Sequence, residues 1–181
     1  GNKYKFFKLS IASFLLCPII LIIFTLPIRA LSDSPWPMAH HNSQLTGWSN
    51  YPGPETSQIK WIFSQVDPQV GDYLSGISVG PDGTIYFGWS SYEWPYEKKV
   101  IALTSHGTLK WERSISGHLL GSPLVDSNGT IYIVNDVDEM LAISPDGTLQ
   151  WNLNISTRYS DYARGAFTVT LVMDQRGVLY Y

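Results

Sequence analysis

The feature that most constrains the fold of this chain is an internal repeat. A motif in which a tyrosine follows a glycine by three residues occurs at Gly83–Tyr86, Gly129–Tyr132 and Gly177–Tyr180. A second motif, Gly-Thr-Leu-x-Trp, occurs twice, and Ile-Lys-Trp forms an earlier partial copy of its end. The tryptophans that close this second motif are Trp61, Trp111 and Trp151. Self-similarity at a period of roughly 40 to 50 residues indicates an array of stacked structural units.

Each unit is predicted to contain four short strands. In the better preserved copy they are Ser122–Val125, Thr130–Val134, Glu139–Ser144 and Thr148–Leu153, which are rich in β-branched and aromatic residues. Asn128-Gly129 and Asp146-Gly147 lie in the first and last breaks between these strands, where such pairs favour tight hairpin turns, and Asn135-Asp136 marks the middle break. No long apolar period of 3.6 residues occurs after residue 31. The pattern therefore predicts an all-β chain of antiparallel four-stranded meanders.

Four strands in about 40 residues is the period of a β-propeller blade. A single blade leaves its faces uncovered and has to stack on its neighbours. A recurrent indole on the last strand is suited to filling the space between adjacent blades, which predicts a structural role for the three repeated tryptophans. The other positions predicted to be structural in the repeat are Gly83, Gly129, Gly177, Tyr86, Tyr132 and Tyr180.

The first thirty residues form a separate segment. The uncharged run Leu9–Ile28 follows three lysines and is long enough, as a helix, to cross a bilayer core of about 30 Å. Pro18 interrupts the run, so a cleaved signal peptide and a retained membrane anchor both stay open. Either alternative predicts an exported protein, periplasmic or at the cell surface. Cys17, the single cysteine, follows Leu16, which is too large for a lipoprotein cleavage site.

The net charge of the chain disfavours one class of partner, nucleic acids. The whole chain has a net charge of −3, and its N-terminal segment is basic, so the exported part is more acidic still. An acidic domain is a poor match for a phosphate backbone, and no nucleic-acid partner is expected. One cysteine excludes a disulfide framework and any site built from several cysteines.

The repeats resemble those of the pyrroloquinoline-quinone-like propeller superfamily. The resemblance rests on Ala102–Trp111, Ala142–Trp151 and the opening Trp36-Pro37-Met38, and it spans about residues 35–181. It implies an incomplete β-propeller of about 2.5 blades after an N-terminal hydrophobic helix, whereas closed propellers have about 4–8 blades. The sequence is therefore expected to be the N-terminal part of a longer chain. The predicted divisions are a signal or anchor at 1–31, a lead-in at 32–58, a closing strand at 59–63, blades at 75–115 and 116–155, and a partial blade at 164–181.

The same resemblance leaves the function open, because this superfamily contains both enzymes and scaffolds. Non-enzymatic members include the bacterial outer-membrane barrel-assembly lipoprotein, which makes a binding or assembly scaffold the first expectation. A quinone dehydrogenase with PQQ and Ca²⁺, its site in further blades, is the alternative. The family's docking repeats carry an aspartate where this chain has Thr104 and Ser144, so the sequence leans away from an enzyme. The extracellular sensor domain of a larger receptor is a third possibility.

No catalytic, cofactor-binding or metal-binding residue is predicted in this segment. Asp136, Asp138 and Glu139 form the tightest acidic cluster, and a solvated hairpin tip is favoured over a Ca²⁺ site there. The histidines are scattered over turns and connecting segments, at positions without a metal-ligand spacing; they are His40, His41, His106 and His118.

An aromatic insertion in the first unit is the candidate binding feature. Residues Gly88–Lys99 are longer than the matching part of the second unit and contain Trp89, Tyr92, Trp94 and Tyr96. Aromatic loops on a rigid scaffold suit the docking of a protein or the stacking of a carbohydrate. Packing of these rings on their own blade is the alternative interpretation.

Overall fold

Every regular element in the described part of the chain is a β-strand. The computed structural model describes residues 31, 33–50, 52–64, 72–91, 94, 96–155 and 170–181. In chain order the strands are β1 Tyr73–Leu74, β2 Ser78–Val79, β3 Ile85–Ser90, β4 Lys98–Leu103, β5 Leu109–Ser114, β6 Leu124–Val125, β7 Ile131–Val134, β8 Glu139–Ile143, β9 Leu149–Asn154, β10 Val172–Met173 and β11 Leu179–Tyr180. The all-β prediction is confirmed for these residues.

The strands form three antiparallel sheets that follow one another along the chain. The first sheet has the order β1-β3-β4-β5, with β2 also paired to β3. The middle sheet has the order β6-β7-β8-β9, and the third sheet consists of β10 and β11. Apart from β1, which pairs with β3, neighbouring strands are consecutive in sequence, as in a meander, so the predicted hairpin connections are confirmed. The described residues close into neither a barrel nor a ring.

Glycine makes the turns of these hairpins. At Gly129 the backbone has φ +79°, and its N–H donates to the carbonyl of Asp126 at 2.9 Å, while the Asp126 N–H donates to Thr130 O at 3.0 Å. This is a three-residue connection in which the last loop residue is left-handed, a conformation that glycine adopts without a Cβ penalty. The equivalent glycines, all with φ between +78° and +88°, are Gly83, Gly107, Gly147 and Gly177.

An aromatic ladder crosses each complete sheet at the same register. Tyr132 pairs with Ala142, and Ala142 pairs with Trp151 on the next strand. Because alanine is small, the flanking rings meet above it, and their centroids lie 5.8 Å apart. The first sheet repeats this arrangement with Tyr86 and Trp111, whose rings lie 5.9 Å apart across the matching alanine.

The core lies between the faces of consecutive sheets. One cluster joins the first and middle sheets through residues such as Tyr86, Val100 and Ile131. A second cluster joins the opposite face of the middle sheet to the third sheet through Tyr132 and Met173. Since successive side chains of a strand point to opposite faces, β7 contributes alternately to the two clusters. Strands β7 and β8 are therefore covered on both faces, whereas β9 is largely exposed.

The lead-in segment covers the free edges of β2 and β6. The carbonyl of Trp36 accepts a hydrogen bond from Val79 N at 2.7 Å, and the carbonyl of Pro37 accepts one from Val125 N at 2.8 Å. The next residue, Met38, is fully buried in the cluster between the middle and third sheets. The segment thus bridges the first and middle sheets by satisfying one edge donor of each.

Two predictions concern the N-terminal part of the chain. The closing strand at Ile59–Phe63 was predicted to pair with a later part of a longer chain; these residues pair with no described strand, and Ile59 and Ile62 are largely exposed. The hydrophobic helix predicted over Leu9–Ile28 falls outside the described residues. Among the residues that are described, no helix has the length and apolar character needed to span a membrane.

Candidate functional site

The repeated tryptophans contact the turns of the following sheet. The indole of Trp111 donates from Nε1 to Pro145 O at 2.8 Å, and a Cβ built on Gly147 would lie 2.9 Å from its ring. Trp61 does the same one unit earlier: its Nε1 donates to Ser105 O at 3.1 Å, and a Cβ on Gly107 would lie 2.6 Å from its ring. The structure thus places both indoles between consecutive units, against a glycine turn.

Two of the three repeated tyrosines donate a hydrogen bond to an aspartate of the neighbouring turn. In the middle sheet, the buried Asp126 carboxylate accepts hydrogen bonds from Thr130 N at 2.9 Å and from the Tyr132 hydroxyl at 3.0 Å. In the third sheet, Asp174 accepts from the Tyr180 hydroxyl at 3.3 Å. These contacts link the turn to the strand that follows it, which is a structural use of both residue types.

The first sheet lacks that aspartate, because Gly80 stands in its place. Asp82, two residues further on, accepts hydrogen bonds from Thr84 and from the Lys110 ammonium at 3.0 Å. Partial burial raises the pKa of Asp82, but these hydrogen bonds outweigh it and hold the pKa below its ordinary value. Burial, together with the nearby Asp82 charge, raises the pKa of Tyr86 to about 12.

The aromatic insertion is only partly a loop. Strand pairing continues through the pair Ser90–Lys98, so both ends of Gly88–Lys99 belong to β3 and β4. The connecting loop is residues 91–97, which we call the aromatic loop. The insertion was predicted as a single loop, and this prediction is corrected because the longer strands extend the hairpin ladder before the chain turns.

The base of the aromatic loop is held by several polar contacts. The Lys99 ammonium lies 2.8 Å from a carboxylate oxygen of Glu97 and 3.0 Å from one of Glu112, and it also lies 5.9 Å from the ring centroid of Trp89. The hydrogen bond to Glu97 is the main reason that the pKa of Lys99 is raised, with Glu112 adding to it against partial burial. The indole of Trp89 donates to Asp72 at 3.3 Å.

The tip of the aromatic loop projects into solvent. The side chain of Trp94 is 84% exposed and that of Tyr96 is 58% exposed. Tyr96 has φ +57°, a left-handed conformation that is unfavourable for a residue with a Cβ. The structure therefore separates the four aromatics of the insertion: Trp89 packs at the base, Trp94 and Tyr96 extend outward, and Tyr92 lies outside the described residues.

The neighbours of this loop come from β1 and from the link between the first two sheets. Tyr73 pairs with Ser90 across β1 and β3, and its ring packs edge-on against His118 at 6.5 Å. The strand β1 that brings Tyr73 here had no counterpart in the sequence prediction.

The acidic cluster is divided among separate structural contacts. Asp136 accepts a hydrogen bond from His118 N at 2.9 Å, and Glu139 accepts from Asn135 at 2.9 Å and from Asn152 at 3.1 Å. Hydrogen bonds from Ser116, then Asn135 and Asn152, lower the pKa of Glu139. Among the described residues, no three His, Cys, Asp or Glu side chains are grouped so as to hold a metal ion.

The adjacent histidines occupy a compact turn that the sequence did not predict. His40 has φ +56° and His41 has φ +76°, and the His40 carbonyl accepts a hydrogen bond from Gly47 N at 2.8 Å. The ring of His41 packs edge-on against Trp36 at 5.5 Å. This turn continues directly from the lead-in segment that covers β2 and β6.

The sequence matches no protein-family model and no curated protein. Among solved structures, the chain is similar to a protein of unknown function from Bacteroides caccae, with 13% sequence identity and a TM-score of 0.40. The similarity covers 63% of this chain and 39% of the other, so this chain matches less than half the length of that protein.

Proposed function

We propose that this chain is a β-propeller-type repeat scaffold that binds a protein partner through its aromatic loop. The support for the repeat architecture is geometric. The first and middle sheets have the same strand order, the same aromatic ladder and the same tryptophan contact with the next glycine turn. Sheets that repeat these contacts and stack face to face are what the blades of a propeller require.

The single observation that most supports binding is that Trp94 is exposed on a loop whose two ends are fixed by paired strands. A ring that is 84% exposed buries little of its apolar area against its own chain and leaves most of it for a partner. At the same time, the paired strands β3 and β4 and the Lys99 ion pairs fix the two ends of the loop that presents it. Tryptophan and tyrosine are enriched at the centres of protein interfaces, because they bury a large area with few rotatable bonds.

The proposed partner is a protein, since a carbohydrate site is usually a concave surface with several polar groups around the stacked ring. Trp94 and Tyr96 are instead exposed at the end of the β3–β4 hairpin. Two residues of opposite charge, Glu97 and Lys98, follow Tyr96 in the chain and can contribute to the polar rim of such an interface.

The test uses the full chain and two libraries, one of displayed peptides and one of immobilised glycans. Binders selected from either library are measured against the double variant Trp94→Ala/Tyr96→Ala. The matched control is Trp48→Ala, which removes a tryptophan that is also largely exposed, at 67%, but lies in the lead-in. We expect peptide binders whose affinity falls at least tenfold in the double variant and is unchanged in the control.

Peptide binders with the same affinity for the double variant as for the unchanged chain would overturn the proposal. Binders recovered from the glycan library alone would indicate a carbohydrate partner instead of a protein. Dye reduction after adding quinone and Ca²⁺ would support the dehydrogenase alternative instead. We expect each aromatic substitution to change the free energy of unfolding by less than about 0.5 kcal/mol, because both side chains are largely exposed. A loss of binding would therefore report the interface itself.

We further propose that the protein is exported, with Leu9–Ile28 as the signal or anchor. The support is the length of this uncharged run and the lysines that precede it. Fusing residues 1–31 to a reporter that is active only after export tests the assignment. An inactive reporter would contradict it.

A further inference from the structure

The ends of two neighbouring hairpins form one continuous surface. The aromatic loop ends the β3–β4 hairpin, and residues 135–138, which we call the acidic tip, end the β7–β8 hairpin. The link between the two sheets contacts both: Ile115 N donates to Lys98 O at 2.9 Å, and His118 N donates to Asp136 Oδ1 at 2.9 Å. A Cβ on Gly117 would collide with the same carboxylate, so the link lies directly against the acidic tip.

Acidic side chains predominate on this surface. Two carboxylates, those of Glu97 and Glu112, lie 2.8 and 3.0 Å from the single Lys99 ammonium, so this group of three keeps a negative charge. The other charged side chains of the surface are the acids Asp72, Asp136, Asp138 and Glu139 and the base Lys98. The aromatic loop is therefore surrounded by an excess of negative charge.

The opposite end of the same sheets is close to neutral among the described residues. This end contains the glycine turns, and we call it the turn end. The charged side chains that its contacts place there are the acids Asp82, Asp126, Asp146 and Asp174 and the bases Lys110, Arg113 and Arg176. The negative charge of the sheets is thus concentrated at the end that carries the aromatic loop.

Both tips of this surface also expose apolar side chains. Val137 is 46% exposed between the two aspartates of the acidic tip, and Trp94 is 84% exposed on the aromatic loop. A protein that covers these two side chains also removes water from the carboxylates beside them. Desolvated carboxylates without a counter-charge are unfavourable, so charge complementarity favours a partner that brings positive charge to this end.

From this distribution we infer that the partner of the aromatic loop is a protein segment rich in lysine and arginine, whose cations face Asp136 and Asp138. The inference rests on the proposed function, because it names the chemistry of the protein that the loop binds. Lysine and arginine fit both parts of the surface. Their aliphatic stems can cover Val137, their charged ends can reach the adjacent carboxylates, and a cation can also lie over the exposed face of Trp94.

The test measures binding of the full chain to three libraries of displayed peptides. The libraries share their aromatic and aliphatic content but are rich in Lys and Arg, rich in Asp and Glu, or balanced in charge. We expect the basic library to give the tightest binders, and we expect Asp136→Asn/Asp138→Asn to weaken them about fivefold, because two exposed ion pairs are lost. Asparagine keeps the acceptor for His118 N and tolerates the φ of +60° at Asp138, so the acidic tip keeps its shape.

The matched control is Asp82→Asn/Asp146→Asn, which removes two charges from the turn end and keeps the acceptor oxygens for Thr84 N and Thr148 N. We expect this variant to bind the basic peptides as tightly as the unchanged chain does. Equal weakening by both asparagine variants would show that only the net charge of the chain matters, and it would overturn the inference.

The remaining outcomes separate this inference from the proposed function. Acidic or balanced peptides that bind as tightly as basic ones, and that lose affinity in Trp94→Ala/Tyr96→Ala, would overturn the basic partner and leave the role of the aromatic loop in place. Basic peptides that are weakened by Asp136→Asn/Asp138→Asn but not by the aromatic double variant would support the basic partner and overturn the role of the loop.

Discussion

The middle and first sheets share a repeat but differ in burial. All four residues of β7 are buried, because one face of this strand packs against the first sheet and the other against the third. In β3 burial alternates: Tyr86, Gly88 and Ser90 are buried, while the residues between them are only half-buried. The comparison shows that neighbours, and not the repeat motif alone, set how much each position contributes to stability.

The composition of the two strands reflects this difference. A strand that is covered on both faces is apolar throughout, as Ile131–Val134 is. On β3 the face that packs against the middle sheet includes Gly88, and a Cβ there would lie 2.8 Å from Leu119. The small residue makes room for a leucine of the connecting segment, which is a packing solution that β7 does not use.

The largest effect is expected from matched isoleucine truncations. Ile131 is fully buried on β7, whereas Ile85 occupies the same repeat position on the half-covered β3. We expect Ile131→Ala to lower the free energy of unfolding by about 4 kcal/mol and Ile85→Ala by about 1 to 2 kcal/mol, measured by urea denaturation. Equal losses would show that the outer face of the first sheet is covered as completely as the middle sheet.

The second comparison concerns the turn aspartates. Asp126→Ala removes a buried acceptor from two backbone N–H groups and the Tyr132 hydroxyl, so we expect a loss of about 3 kcal/mol. Asp82→Ala in the first sheet removes a more exposed acceptor, and a loss of about 1 kcal/mol is expected. Thermal denaturation of both variants measures the difference. A smaller loss for Asp126→Ala than for Asp82→Ala would contradict it.

Glycine substitutions sharpen the contact between units. Gly147 and Gly83 both have positive φ, but a Cβ at Gly147 meets the Trp111 ring at 2.9 Å, whereas one at Gly83 meets Ser105 at 3.6 Å. Gly83→Ala should therefore lose about 1 kcal/mol from backbone strain alone, and Gly147→Ala about 2 to 3 kcal/mol. Denaturation midpoints measure both losses. Equal losses for the two variants would show that the Trp111 indole shifts at little cost to make room for the Cβ.

The smallest effect is a pH dependence in the third sheet. The backbone N–H of Val178 and then the Arg176 side chain lower the pKa of Asp174 from 3.8 to about 2. Because the folded-state pKa is depressed, the stabilisation is present above pH 3.8 and is lost as the pH falls through about 2. A carboxyl NMR titration should give this low value, and Arg176→Ala should raise it. A value near 3.8 in the folded chain would refute the turn contact.

Much of the local structure could be predicted from the sequence. Strands β7, β8 and β9 lie close to their predicted bounds, because alternating β-branched residues and Asx-Gly turns act over a few residues. The short strands β1 and β2 were harder to predict from the sequence, since two residues are too few to show an alternating pattern. Ile59–Phe63 matched the pattern of a last strand and yet pairs with no described strand, because pairing depends on what lies beside it.

The candidate site was predicted only in part. The sequence identified an aromatic insertion, but not that Trp89 would pack beneath Lys99 while Trp94 stays exposed, since both are tryptophans within a few residues of each other. Their roles depend on where the β3–β4 ladder ends. The lead-in sequence did not indicate that Trp36 and Pro37 would bridge β2 and β6, because their carbonyls accept these hydrogen bonds and a carbonyl does so whatever the side chain is.

The sequence by itself determined the repeat, the strands and the glycine turns, because these follow from side-chain alternation and backbone freedom over a few neighbouring residues. Only the tertiary structure decided which sheet faces are covered and which turns contact Trp61 and Trp111. Those outcomes depend on contacts between residues far apart in the chain, such as Trp111 with Pro145, and no local pattern encodes them.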